Sequence, residues 1–227
     1  MNVEQMRFNM IEQQIRPWDV LDPQVLALLA QVRREDFVPE ACRTLAFVDM
    51  ELPLPEGQCM LAPKVEARML QELQLRPSDS VLEIGAGSGY MAALLAHKAL
   101  RVISLEIRPV LARLAAANLE RAAVGTAGVR CADGAAGLPT EAPFDAIVLS
   151  GSVADVPRHL LEQLTIGGRL MAIVGTGPVM RARLYTRAGE AEWSQADLFD
   201  TVAPRLDGFA EHPRFVFSSG NMSSGVV

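Results

Sequence analysis

One segment restricts the possible fold of this 227-residue chain more than any other: VLEIGAGSGYMAALL, from Val81 to Leu95. It opens with an apolar run at 81–84 that is typical of a buried parallel strand. Three alternating glycines follow, and an apolar, alanine-rich helix is predicted from Tyr90 onward. Glycines allow the backbone to turn sharply from strand to helix and let a ligand lie against bare main chain. The segment therefore predicts a strand–turn–helix unit with a ligand site at the turn.

The spacing of these glycines separates two nucleotide-binding patterns. A dinucleotide fingerprint is G-x-G-x-x-G, but Tyr90 stands where its third glycine would be, which disfavours an NAD-dependent oxidoreductase. The chain reads G-x-G-x-G, with Glu83 two residues before the first glycine. A second apolar run, 101–105, ends in Glu106, at the position where a Rossmann-like sheet holds ribose hydroxyls. The pattern resembles the S-adenosylmethionine (SAM) site of class I methyltransferases. The alternative is a glycine turn that serves only tight packing.

Strands alternate with helices along most of the chain, which predicts an α/β, doubly wound, Rossmann-like sheet. The predicted parallel strands are 80–84, 101–105, 129–132, 144–149 and 169–174. Helices are expected at 63–75, 89–97, 109–123 and 157–164, a turn at Gly167 and Gly168, and antiparallel edge strands at 182–186, 192–198 and 214–217. The carboxyl ends of the first four strands should meet at one edge, where ligands bind.

The first 60 residues predict an N-terminal helical cap, with helices near 2–16, 25–32 and 40–45 and then a proline-rich loop. Asp22 is the expected N-cap of the second helix, and Pro23 its first residue. We therefore divide the chain into a cap with a substrate loop at 1–60 and a SAM-binding domain at 61–227, which together form one structural unit.

Composition limits the classes of function. Half of the residues are hydrophobic, so a large core is available, and the net charge of −6 argues against a general nucleic-acid surface. No apolar run approaches the ~18–20 residues of a membrane span, and the N-terminus is too polar for a signal peptide. Three cysteines and three histidines are scattered without metal-ligand spacing. These features predict a cytoplasmic protein with reduced thiols and no metal site.

Several blocks together resemble the protein-L-isoaspartate (D-aspartate) O-methyltransferases, from about Met10 to Phe217. They are REDFVPE, DMELPLPEGQ, VLEIGAGSGYMAALLA, ADGAAGLPTEAPFDAIVLSGS, LLEQLTIGGRLMAIVG and RFVFSS. The glycine motif alone would mark any class I methyltransferase. The tyrosine after GSG, the D-G-x-x-G after the third strand and the P-F-D that opens the fourth are more specific to this family.

The resemblance implies where SAM would bind. Five residues would border its methionine portion: Glu83, Gly85, Ala86, Gly87 and Ser88. Glu106 would accept hydrogen bonds from the ribose hydroxyls, Ile107 would line the adenine face, and Asp133 and Gly134 would meet the adenine edge. Ser150 would border the methyl-transfer opening. Three of these acids also have structural interpretations: Glu83 as a strand-end cap, Glu106 as a solvated acid at a helix start, and Asp133 as a turn initiator.

The substrate loop departs from the family. The family typically reads G-Q-T-I-S-x-P, with the serine beside the carboxylate to be methylated, whereas this chain has Cys59 at the threonine position and Leu61 at the serine position. A leucine donates no hydrogen bond and places an apolar group against a charge. Lys64 is a hypothetical replacement donor, although an exposed lysine at a helix start is the plainer interpretation. A nucleophilic role for Cys59 is disfavoured because no histidine partner is near it in the sequence.

We therefore expect a SAM-dependent methyltransferase that esterifies the carboxylate of isoaspartyl residues in damaged proteins or peptides. One alternative is a methyltransferase of the same family with a less polar, unknown small-molecule acceptor. Another is a SAM-binding protein without catalysis. No nucleic-acid partner and no membrane span are expected, and the oligomeric state is left open.

Overall fold

The computed structural model describes residues 2–211. The strands, numbered in chain order, are β1 (Leu52–Pro53), β2 (Cys59–Met60), β3 (Ser80–Ile84), β4 (Arg101–Glu106), β5 (Ala127–Cys131), β6 (Phe144–Val153), β7 (Leu164–Thr176), β8 (Val179–Arg187) and β9 (Trp193–Thr201). The α-helices are α1 (Val3–Met10), α2 (Pro23–Gln31), α3 (Pro63–Leu73), α4 (Tyr90–Ala96), α5 (Pro109–Arg121) and α6 (Arg158–Leu161).

Within the described residues, seven strands form one sheet in the order β5-β4-β3-β6-β7-β8-β9. The pairs from β5 to β7 are parallel, and β8 and β9 add two antiparallel strands at one edge. This arrangement confirms the predicted fold class. The order reverses beside β3, the first strand of the parallel set, so the glycine turn after β3 lies at the topological switch point, where open α/β sheets bind ligands.

The helical cap begins as predicted but changes geometry along its length. The side chain of Asn2 accepts a hydrogen bond from the backbone N–H of Glu4 and so caps α1. The helix then continues as a π-helical turn at Ile11–Ile15 and a 3₁₀ turn at Arg16–Trp18. Asp22 caps α2 in the predicted way, with Pro23 as its first residue. The predicted helix at 40–45 is a 3₁₀ helix, Glu40–Leu45.

Two predicted features of the later chain are wrong in extent. The helix expected at 157–164 is only the single turn α6, because Leu164 already pairs with Phe144 as part of β7. The expected turn at Gly167 and Gly168 lies within β7, at a register shift between the β6 and β7 partners. The strand expected at 214–217 lies outside the described residues.

The cap and the sheet share one hydrophobic core. A single cluster of buried side chains includes Met10 and Leu29 from the cap, Leu70 from α3, and Val81 and Val148 from the sheet. Two buried ion pairs lie in the same region, Arg7 with Glu35 and Arg34 with Glu66. The division at residue 60 stays a prediction. Within residues 2–211, no helix has the length and apolarity to cross a membrane.

Candidate active site

The turn between β3 and α4 is fastened to the neighbouring strand. The backbone N–H groups of Gly85 and Ala86 both donate to the carbonyl oxygen of Leu105, at 2.8 and 3.3 Å. Gly89 has φ +83°, and a Cβ there would lie 3.0 Å from the carbonyl oxygen of Ala115 in α5. Both the backbone conformation and the helix contact therefore require glycine at this position.

Glu106, at the end of β4, is held by two backbone donors. Its Oε2 accepts from the N–H of Gly87 at 2.9 Å, and its Oε1 accepts from the N–H of Arg108 at 3.0 Å. The side chain is buried, and each carboxylate oxygen has a further lone pair. A carboxylate fixed in this way is suited to accept hydrogen bonds from a ribose diol, which is the predicted role of this residue.

A cleft opens at the carboxyl ends of β3, β4 and β6 and contains about 500 Å³ of empty space, including its mouth. Seven of the predicted site residues line it: Cys59, Gly85, Gly87, Glu106, Ile107, Gly134 and Ser150. A Cβ on Gly134 would run into the side chain of Ile84, so glycine keeps this wall of the cleft open.

A smaller pocket, which we call the inner pocket, continues from the cleft between the β2 loop and the glycine turn. It is lined by Cys59, Met60, Leu61, Glu66, Glu83, Gly85, Ala86, Gly87, Ser88, Met91 and Ser150. Four of these residues also line the cleft: Cys59, Gly85, Gly87 and Ser150. The two spaces are therefore adjoining compartments of one site.

Glu83 is fully buried beside the inner pocket. Ser104 and Ser150 donate their hydroxyl hydrogens to its carboxylate, at 2.5 and 2.8 Å. Burial nevertheless raises the pKa of Glu83 to about 7, because two neutral donors only partly replace the lost water. The bond to Glu83 fixes the position of the Ser150 hydroxyl at the junction of the two compartments.

Asp133 lines neither compartment. Its Oδ1 accepts the N–H of Ala135 at 2.9 Å, as a turn initiator does. Its carboxylate also lies against Gly208, where a Cβ would approach Oδ1 to 2.6 Å. The predicted contact between Asp133 and an adenine edge stays a prediction, whereas the contacts in the structure are those of a turn and a support for the C-terminal segment.

The substrate loop places its unusual residues as follows. Leu61 is buried and lines the inner pocket. Cys59 lies on β2, where burial and the nearby carboxylate of Glu51 raise the pKa of its thiol to about 12, so it is a neutral thiol at pH 7. Lys64 pairs with Asp49 at 2.7 Å and lies 4.1 Å from the Trp18 ring centroid. It lines neither compartment, so the site does not use it as a replacement donor.

Sequence reasoning missed Glu66 and Arg34. Arg34 is fully buried and pairs with Glu66, which lines the inner pocket. The position of Glu66 was a usable indication, because it precedes Met69 and Leu70 by three and four residues and so lies on the buried face of α3.

Sequence reasoning also missed the segment that closes the cleft on the far side. Leu206 and Asp207 line the cleft, and a Cβ on Gly85 would lie 2.7 Å from Leu206 Cδ2. Arg108 pairs with Asp207 on this segment and, at 3.6 Å, with Glu56 in the turn of the β1–β2 hairpin. Arg108 therefore connects the two sides of the cleft mouth.

Comparison with known proteins identifies the family. Residues 5–202 match the family model described as Protein-L-isoaspartate(D-aspartate) O-methyltransferase (PCMT). The chain belongs to this family. It is 40% identical over 200 residues to protein-L-isoaspartate O-methyltransferase 2 of Marinobacter nauticus, covering 88% of this chain and 91% of that one. It is 45% identical over 187 residues to the protein-L-isoaspartate O-methyltransferase of Methanoculleus marisnigri, covering 82% and 85%.

A solved PCMT structure has the same fold. It is the Plasmodium falciparum protein in complex with S-adenosyl-L-homocysteine, with a TM-score of 0.77 and 21% identity over 91% of this chain and 98% of that one. The family match and the shared fold confirm the predicted family, fold class, enzyme class and methyl donor, SAM. The roles of the individual site residues stay predictions. Among residues 2–211 no group of three or more metal-ligating side chains comes together.

Proposed function

We propose that this protein transfers a methyl group from SAM to the carboxylate of isoaspartyl residues in proteins or peptides, in the cytoplasm. The observation that carries the proposal is the family match over residues 5–202, which include the glycine turn, Glu106 and all of the cleft lining except Leu206 and Asp207. Two of the relatives reported above have names that state this activity.

The reaction requires the chain to bind and align the methyl donor and the acceptor, and it requires no proton transfer by a side chain. SAM supplies an electrophilic methyl group, and a carboxylate acceptor is already ionised at neutral pH. Alignment of two reactants and exclusion of water contribute most where no proton is transferred. Glu106 and the glycine turn fix the donor side of the site. The inner pocket, with its buried walls, limits the access of water.

The residue at one position of the substrate loop leads to a second candidate, which the family match does not favour. Met60, Leu61 and Met91 line the inner pocket, and Leu61 stands where the family has a serine. A less polar acceptor would lose less hydration there than a carboxylate. The second candidate function is therefore methyl transfer to a less polar acceptor in the same site.

The test is methyl transfer from labelled SAM to a short isoaspartyl peptide, with the normal aspartyl peptide as the control and SAM affinity measured in parallel. We expect selective labelling of the isoaspartyl peptide. SAM binding with labelling of cell-extract components but not of this peptide would favour the second candidate. SAM binding without transfer to any component would indicate a binding protein, and absence of SAM binding would overturn the proposal.

A further inference from the structure

We propose that Glu66, acting together with Glu83, binds the α-ammonium group at the methionine end of SAM. This inference rests on the proposed function, since it takes SAM as the ligand of the cleft. It adds a cofactor-binding residue that lies on α3, outside the glycine motif. It also assigns to the inner pocket one charged group of the ligand, the ammonium.

Among residues 2–211, the lining of the inner pocket contains acidic side chains and no basic one. Two carboxyl groups line it, Glu66 from α3 and Glu83 from β3, together with small, apolar and hydroxyl-bearing residues. The donors to Glu83 are the hydroxyls of Ser104 and Ser150, which are neutral. A buried carboxylate without a cation is unfavourable. A cationic ligand group would relieve this deficit, whereas an anionic one would increase it.

One oxygen of Glu66 is available to such a group. Oε2 pairs with Arg34, but Oε1 accepts no hydrogen bond from any of residues 2–211. The residue is 4% exposed and lines the inner pocket. The other two nitrogens of Arg34 bond elsewhere, because Nε donates to the carbonyl of Ala46 and Nη2 to the carbonyl of Leu61. Arg34 therefore neutralises only one side of the Glu66 carboxylate.

The position of the inner pocket matches the polarity of the donor. Glu106, the predicted ribose ligand, lines the cleft, and the inner pocket lies beyond the glycine turn and shares Gly85 and Gly87 with the cleft. A donor whose ribose meets Glu106 and whose chain follows the glycine turn brings its amino-acid end towards Glu66 and Glu83. At neutral pH that end carries a positively charged ammonium and a negatively charged carboxylate. The two acids would attract the ammonium, and the carboxylate would have to point away from them.

The protonation of the two acids reports on this interaction. Burial raises the pKa of both Glu66 and Glu83 to about 7. Arg34 from the cap lowers the pKa of Glu66, whereas Glu66 and Glu106 raise that of Glu83. Together with burial, Glu66 in turn raises the pKa of Cys59 on β2 and of Tyr90 on α4. A cation bound between the acids favours their ionised forms and lowers their pKa. Ligand binding near pH 7 should therefore release protons.

Two ligands separate the ammonium from the rest of the donor. S-adenosyl-L-homocysteine has the amino-acid end and no sulfonium charge, whereas 5′-methylthioadenosine lacks the amino-acid end. We expect Glu66→Gln to weaken the binding of S-adenosyl-L-homocysteine about ten- to a hundredfold, as for loss of one charge-assisted hydrogen bond. The affinity for 5′-methylthioadenosine should change by no more than about twofold. Calorimetry at pH 7 measures both. The matched control is Glu72→Gln, since Glu72 lies on the same helix and pairs with Arg68.

The outcomes are distinct. Equal weakening of both ligands would mean that Glu66 only holds Arg34 and the loop, and unchanged binding of S-adenosyl-L-homocysteine would mean that it does not meet the ammonium. Either result overturns the inference and leaves the SAM site in place. If the unaltered protein bound neither ligand, the proposed function itself would fail.

A second measurement needs no variant and so does not depend on how Glu66→Gln folds. Calorimetry of the unaltered protein in two buffers of different ionisation enthalpy gives the number of protons released on binding. We expect release of about half a proton or more with S-adenosyl-L-homocysteine at pH 7, and none with 5′-methylthioadenosine. Equal release with both ligands would contradict the inference.

Discussion

The guanidinium of Arg34 donates a hydrogen bond of 2.8 Å to the backbone carbonyl oxygen of Leu61. The same side chain donates to the carbonyl of Ala46 at 3.1 Å and pairs with Glu66. One buried arginine thus joins the helical cap, α3 and the loop position at which the family has its acceptor-side serine. The placement of residue 61 therefore depends on the cap as well as on the loop itself.

Replacing this arginine should destabilise the protein strongly. Arg34→Lys keeps the charge but cannot reach three acceptors from one planar group, so Glu66 is left buried with an incomplete partner. We expect a loss of about 3 kcal/mol in the free energy of unfolding, at the lower end of the range for a broken buried ion pair. Urea unfolding measures this loss. The adjacent Arg33 is 58% exposed, so Arg33→Lys should change stability by less than about 0.5 kcal/mol. Equal effects of the two changes would contradict the central position of Arg34.

The loop substitution leads to a prediction about activity. Leu61→Ser restores the hydroxyl donor found in the family, whereas Leu61→Ala creates similar space without a donor. Because Leu61 is buried, both changes should cost about 2–4 kcal/mol of stability. On an isoaspartyl peptide, we expect Leu61→Ser to have a higher kcat/KM than the unaltered protein, and Leu61→Ala to show no such rise. The kcat/KM of Leu61→Ser should be about tenfold that of Leu61→Ala. A folded, SAM-binding Leu61→Ser protein with no gain in activity would show that this side chain is not the obstacle.

Glu106 has a different expected binding profile from Glu66. In the unaltered protein, the backbone N–H groups of Gly87 and Arg108 donate to the Glu106 carboxylate. In Glu106→Gln the side-chain NH2 group would face one of these two donors, and two donors cannot bond to each other. The side chain should turn and lose its alignment with a ribose. We expect S-adenosyl-L-homocysteine and 5′-methylthioadenosine to weaken alike, by about tenfold or more. Calorimetry with Glu120→Gln, on the surface of α5, as the control checks this. Loss with only one of the two ligands would contradict the ribose role.

Local patterns predicted the glycine turn, strand β3 at its observed bounds and the Asp22 cap of α2. Each of these depends on residues within a few positions along the chain, and the sequence shows them directly. Glu106 was also predictable, since the end of a second parallel strand has a fixed place beside the turn.

The missed features depend on contacts between distant parts of the chain. Glu66 meets Arg34 from 32 residues away, and Leu206 covers Gly85 from the far end of the chain. Gly167 and Gly168 were expected to form a turn before the last parallel strand, but β7 already pairs with β6 at Leu164. The two glycines interrupt that ladder between Leu164 and Arg169, and Gly167 has φ +83°. The earlier start of β7 therefore comes from a pairing with a distant strand. No local pattern contains such information.

The buried acid Glu83 should make stability fall as pH rises. Its pKa is raised from 4.5 to about 7 by burial, so between these values the folded protein binds more protons than the unfolded chain. The contribution of Glu83 to the free energy of unfolding is then fully present below pH 4.5 and is lost as pH rises through 7. Without ligand, we expect the unaltered protein to lose about 2–3 kcal/mol relative to Glu83→Gln between pH 5 and pH 8, by urea unfolding.

Glu141 provides a control, because its contribution to stability should change with pH in the opposite direction. Arg130 lowers the pKa of this partly exposed carboxyl, so its contribution to stability is present above pH 4.5 and is lost as pH falls. The difference between the unaltered protein and Glu141→Gln should therefore change with pH in the opposite direction and by a smaller amount. A difference for Glu83→Gln that stays constant from pH 5 to pH 8, or that follows the direction of Glu141→Gln, would mean that Glu83 is ionised in the folded protein throughout. In that case solvent or a cation would have to reach it in the inner pocket without any bound ligand.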